Sequence, residues 1–185
     1  RFALEVRYYG ADSANDVADA LREADEDSAI AVLGPNDDDR LDALLDAGTP
    51  PAAVLSASAN AVTADRVFRL IATADQRAQV AADYLVNQRF FTRVALLAVD
   101  SSTAQDGADA FRTAAGGGNL GVDLTHTAET TDFTSDAETI READVQAIYV
   151  WTLDAQMRAL LADLGQIGWT GTIIDRKSTR LNSSH

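Results

Sequence analysis

Short apolar runs alternate with amphipathic helical patterns along nearly the whole chain, and this alternation restricts the fold to βαβ units laid into parallel sheets. Ala29-Ile30-Ala31-Val32-Leu33 is a continuous apolar run of the kind expected for a parallel strand buried on both faces, and Gly34 lets the backbone turn away from it. Arg40 to Ala47 repeats apolar residues at helical spacing and stops at Gly48, before Pro50-Pro51. Ala53-Val54-Leu55 is the next strand, and further strands are predicted at Phe2 to Tyr8, Val67 to Ile71, Arg93 to Val99, near Val122 to Leu124, Ala147 to Trp151 and Thr172 to Ile174. Asp12 or Ser13 can cap a helix carrying Val17, Ala18, Leu21 and Ala24, and Asp75 one carrying Val80, Ala81, Tyr84 and Leu85. Helices are also predicted over Gln105 to Ala115, over Ala137 to Ala143, and from an Asp154 cap to Leu164, while Thr127 to Ser135 reads as a polar loop. The fold class is α/β.

The 185 residues are 46% hydrophobic, enough for a core, and no apolar run reaches the roughly 18 residues of a membrane span. Arg1 leads almost directly into a strand pattern with no signal peptide before it, so loss of the natural amino terminus is expected. Residues 175–185 resemble the translation of a sequencing-adapter oligonucleotide and are set aside as a non-native tail. Asp and Glu number 29 against 15 Lys and Arg, a net charge of −14, and the only lysine, Lys177, lies in the tail. So acidic a surface repels phosphate backbones, which argues against nucleic acid as a partner, and it favours solubility in concentrated salt. The chain has no cysteine, which excludes disulfides and thiolate metal sites.

In open α/β sheets ligands sit beyond the carboxyl ends of the strands, so Asn36 to Asp39 and Ser56 to Asn60 are where a ligand would be held. Ala31-Val32-Leu33-Gly34-Pro35 and Leu55-Ser56-Ala57-Ser58-Ala59-Asn60 resemble two strand-and-turn segments of the type I periplasmic binding proteins, in particular those of branched-chain amino-acid ABC transporters. Phe68-Arg69 with Thr73 to Gln76, Val94 to Leu97 ending at Asp100, Gly107 with Phe111, Asp132-Phe133 and Ala147-Ile148-Tyr149 extend the resemblance in order and spacing. It implies two Rossmann-like lobes with parallel sheets around a cleft, here incomplete at both ends, with residues 1–73 in the first lobe and 74–174 in the second. It also implies an extracytoplasmic protein, periplasmic or anchored by lipid at the cell surface. Such a protein is a monomer that binds a small polar ligand, an amino acid, amide or relative, and presents it to a membrane permease without cofactor, metal or chemistry of its own.

Carried over residue by residue, the resemblance marks Asp38, Asp39, Ser58, Ala59, Asn60, Ala104 and Leu153 as ligand-binding positions. Asn36 to Asp39 equally serves to cap a helix and complement its dipole, and where the family presents hydroxyls to an α-carboxylate, three aspartates would repel one. That favours a cationic, neutral polar or amide-bearing ligand as much as an amino acid. Asn60 replaces the family's threonine and can donate and accept hydrogen bonds, although asparagine is also common in ordinary turns. Ala104-Gln105 stands where the family often has Tyr-Gly, so an aromatic lid is lost. Trp151 either stacks on a ligand or packs between lobes.

Gly116-Gly117-Gly118-Asn119-Leu120-Gly121 satisfies G-x-G-x-x-G but follows a helix and opens a strand, the reverse of the dinucleotide-binding order. His126 is the only histidine outside the tail, has no second histidine near it, and is expected at the surface. Two rival readings are the effector-binding domain of a transcription regulator of the same fold and an α/β enzyme, the latter having only aspartates from which to build a reactive site.

Overall fold

The computed structural model describes residues 5–10, 13–57 and 64–175, the side chains of Ala14, Asn15 and Asp38 excepted. The chain divides into two compact units between Thr73 and Ala74.

The first unit contains α1 (Ala14–Glu26), β1 (Ala31–Leu33), α2 (Asp38–Asp46), β2 (Ala53–Ser56) and β3 (Val67–Arg69). Its strands form a parallel sheet in the order β1-β2-β3, with Val32 beside Val54 and Val54 beside Val67. These valines share a face, and Val17 and Leu21 of α1 with Leu44 and Leu45 of α2 pack on it. Successive strand residues point to opposite faces, so Leu33 and Phe68 project the other way and are 78% and 57% exposed. The run ending at Leu33 is therefore covered on one face among the described residues, not on both as its composition predicts. Glu5 to Tyr8 form no strand, against expectation, and Phe2 to Leu4 lie outside the described residues. Gly34 has φ +111°, a backbone state that a side chain disfavours, and its N–H donates to Leu55 O at 2.9 Å.

The second unit contains α3 (Ala74–Ala82), which runs on as a π-helix over Asp83–Gln88, then β4 (Val94–Val99), α4 (Ser102–Ala115), β5 (Leu120–His126), α5 (Thr134–Glu142), β6 (Ala147–Trp151), α6 (Asp154–Gln166) and β7 (Thr172–Asp175). Its parallel sheet has the order β5-β4-β6-β7. Every residue of β4 and β6 is buried, as uninterrupted apolar strands in the middle of a parallel sheet should be. Val94, Leu96, Ala98, Tyr149 and Trp151 face α3 and α4, whereas Ala95, Leu97, Ile148 and Val150 face α5 and α6. Helices on both faces of a parallel sheet make this unit a doubly wound α/β layer structure.

Trp151 is 1% exposed and packs inside the second unit, against α4, where the sequence offered ligand stacking or packing between lobes. A Cβ built on Gly107 of α4 would stand 2.5 Å from its indole ring, so glycine is what lets the helix cross the ring there. One helical turn on, Phe111 stacks on Tyr149 with ring centroids 4.5 Å apart. Several boundaries shift from expectation. α4 begins at Ser102, ahead of Gln105, and α6 begins at Asp154 itself with Leu153 at the N-cap. Val80 is exposed and small residues, Ala78 and Ala82, are buried in its place. Asp175, assigned by sequence to the tail, ends β7 beside Val150.

Candidate functional site

Parallel strands present their carboxyl ends on a common edge, and in both units that edge is built from turns with polar side chains. In the first unit Asp37 caps α2, its carboxylate accepting from the Arg40 N–H at 3.0 Å and from Arg40 Nη1 at 2.9 Å. One of the three aspartates of the turn is thereby given over to helix capping and an ion pair. Asp38 opens α2 and Asp39 follows it, exposed. Ser56 is buried, and its hydroxyl donates to Pro35 O at 2.6 Å, tying the end of β2 to the turn after β1. Ser58, Ala59 and Asn60 lie outside the described residues.

In the second unit the turn after β4 is held to β5 by Asp100, whose N–H donates to His126 O at 2.6 Å. Ala104 lies inside α4, 3% exposed. Leu153, half-exposed between β6 and α6, donates its N–H to Gln156 Oε1 at 3.2 Å. The structure therefore brings Leu153 and the loops after β4 and β5 to one edge of one sheet. Gln156 itself was missed by the sequence reading, although a Gln at the third position of a helix is a recognisable capping-box signal.

His126 is a correction to the sequence reading. Its side chain is 10% exposed, not a surface group, because Phe133 meets its ring edge-on at a centroid distance of 4.9 Å and α5 closes over it. Nε2 makes no hydrogen bond among the described residues and stands 3.5 Å from Asp136 Oδ2. Burial pushes the Asp136 carboxyl above its usual range, the His126 charge pulls it down, and Asp132 pushes it up again. A carboxyl raised by folding contributes stability below its unfolded value of 3.8, and that contribution is lost as pH rises through the higher folded value. Asp136→Asn keeps the shape and removes the charge. It is expected to gain stability relative to the parent chain between about pH 3 and about pH 7, read as the difference in urea midpoints. A difference that stays constant across that range contradicts the burial of this carboxyl.

Among the described residues no group of three or more His, Asp or Glu is placed to hold a metal ion, and no helix is long and apolar enough to cross a membrane.

Each unit is thus an α/β structure with a parallel sheet whose strand ends carry polar turns. Residues 5–179 match the periplasmic binding protein family, and the chain belongs to it. Solved structures share the fold. A leucine-binding protein of Thermotoga maritima is similar at 17% identity and a TM-score of 0.69, over 89% of this chain and 49% of its own. A branched-chain amino acid transporter substrate-binding protein of Streptococcus pneumoniae, solved with isoleucine, is similar at 18% identity and a TM-score of 0.68 over the same shares. A solute-binding protein of an ABC transporter from R. palustris, in complex with 4-hydroxybenzoate, is similar at 16% identity and a TM-score of 0.63, over 88% of this chain and 47% of its own. The chain thus spans about half the length of the solved structures it matches. No curated protein matches it.

Proposed function

We propose that the chain is part of the extracytoplasmic solute-binding component of an ABC transporter, holding a small polar ligand between its lobes and presenting it to a membrane permease. The observation that carries this reading is the family match over residues 5–179, supported by two units that both end parallel strands in polar turns. The protein works as a monomer, located in the periplasm or at the outer face of the membrane, and catalyses no reaction. The domains follow the unit boundary, with the first lobe to residue 73 and the second from residue 74.

The ligand is an amino acid, an amide or a related compound. Solved relatives hold isoleucine and 4-hydroxybenzoate, which makes amino acids and aromatic acids the first probes. The ligand-binding positions proposed for the first lobe are Ser58, Ala59 and Asn60 with Asp38 and Asp39, and Leu153 is one proposed for the second. Ala104, the remaining position proposed for ligand, is buried in α4, so it would act through the shape of that helix end and not by a polar contact. Because Asp37 already has Arg40 as a partner, the turn after β1 is less repulsive to a carboxylate than its three aspartates suggest.

Calorimetric titration of the chain with leucine, glutamine, putrescine and benzoate tests this. Saturable one-to-one binding of one of these is expected, with Asn60→Ala weakening it about tenfold, the equivalent of roughly 1.4 kcal/mol. Silence with all four overturns the proposed ligand class.

A further inference from the structure

Gln156 of α6 is 2% exposed, the largest polar side chain buried in the second unit among the described residues, and nothing above gives it more than a capping role. Its Nε2 donates to Thr127 O at 2.7 Å and to Thr130 O at 3.3 Å, while its Oε1 accepts from the Leu153 N–H at 3.2 Å. Both N–H groups of the amide and its carbonyl are therefore used, on two different loops. Seven residues along, two helical turns and thus on the same side of α6, Asp163 Oδ2 accepts from the Phe133 N–H at 3.0 Å. One helix holds both ends of the loop between β5 and α5.

We infer that Gln156 is a positioning residue that locks the loop after β5 to the loop after β6, so that the two strand-end turns of the second unit keep one joint arrangement. The inference deepens the proposed function and rests on it in one respect: these turns lie on the edge assigned there to ligand. The local bonding explains why one amide suffices. Between Thr127 and Thr130 the loop's own backbone contributes the Thr130 N–H to Thr127 O bond at 3.2 Å. Removing the amide leaves Thr130 O and the Leu153 N–H without these partners and Thr127 O with only the Thr130 N–H, and unpaired buried groups reopen to water.

Two variants separate positioning from bulk stability. Gln156→Glu keeps the acceptor for Leu153 N–H but offers the two carbonyls no donor, whereas Gln156→Leu removes all three bonds at similar volume. Amide hydrogen exchange on the chain is the readout. Gln156→Leu is expected to speed exchange at both Thr130 and Leu153 by about tenfold or more, with Ile148 and Tyr149 in β6 changing less than about twofold. Gln156→Glu should speed Thr130 and leave Leu153 protected. The inference is overturned if neither variant moves Thr130, or if exchange rises uniformly across the second unit, the mark of a merely structural residue. Titration with leucine and benzoate then separates the two claims. If the parent chain binds either, Gln156→Glu should weaken it severalfold when titrated well below the variant's own melting temperature, where it is folded. If the parent binds neither, the ligand reading fails while the exchange pattern still decides the role of Gln156.

Discussion

Gly107→Ala is expected to destabilise the chain although it places a better helix former inside a helix. In an exposed helix the exchange would gain about 1 kcal/mol. Here the new Cβ would sit 2.5 Å from the Cε2 and Cζ2 atoms of Trp151, a separation that forces something to move. The indole is 1% exposed, with Tyr149 edge-on at 6.2 Å, so it has no free volume into which to swing. The helix must then lift. Four residues of α-helix advance about 6.0 Å and two of a strand about 6.6 Å, so Gly107 and Phe111 are in step with Trp151 and Tyr149. Lifting α4 at Gly107 also loosens the Phe111–Tyr149 stack one turn away. Overpacking of this kind costs about 1–3 kcal/mol, and a valine, with two more methyl groups, should exceed that range. Urea denaturation of Gly107→Ala, Trp151→Phe and the double variant checks the account. The alanine should cost less in the Trp151→Phe background, giving a coupling of about 1 kcal/mol or more, and strict additivity contradicts the ring contact.

Such contacts mark the limit of what the sequence makes legible. The alternation of strands and helices was readable because period and apolar content are local properties: β6 runs over Ala147–Trp151 as its composition predicts. Whether a strand is covered on one face or both is not local. Ala29 to Leu33 and Val94 to Val99 are both uninterrupted apolar runs. The second is buried throughout, while the first ends in the exposed Leu33, because α1 and α2 pack on one face of its sheet. The sites divide in the same way. That strand ends carry polar turns follows from the order of elements, and Asp37 as a helix cap was one of two readings open at Asn36 to Asp39. His126 was misplaced because its neighbours in sequence are polar, whereas its burial is supplied by Phe133 and Asp136 on the next element. Gln156 bonds residues 26 and 29 positions earlier, a separation no spacing rule reaches.

Phe133→Ala should produce a loss of stability comparable to or larger than that of any glycine substitution, although Phe133 lies in a stretch that reads as polar loop. The side chain is fully buried and joins the cluster of Leu97, Ile140, Ile148, Leu160 and Leu164 under α5 and α6. Truncating a fully buried phenylalanine costs about 3–5 kcal/mol, a large share of the roughly 5–15 kcal/mol that holds a domain folded. Hydration offsets part of that cost, since the ring forms one wall around His126, whose Nε2 has no hydrogen-bond partner among the described residues. With the wall gone water reaches the imidazole and Asp136, and the carboxyl loses the desolvation that pushes it upward. Phe133→Leu, which refills most of the volume, should recover more than half of the loss. Asp163→Ala, which leaves the ring in place and removes the acceptor of the Phe133 N–H, should cost only about 1 kcal/mol. Urea midpoints of the three variants rank the contributions. If Asp163→Ala proves as damaging as Phe133→Ala, the end of this loop is held by its hydrogen bond and not by the buried ring.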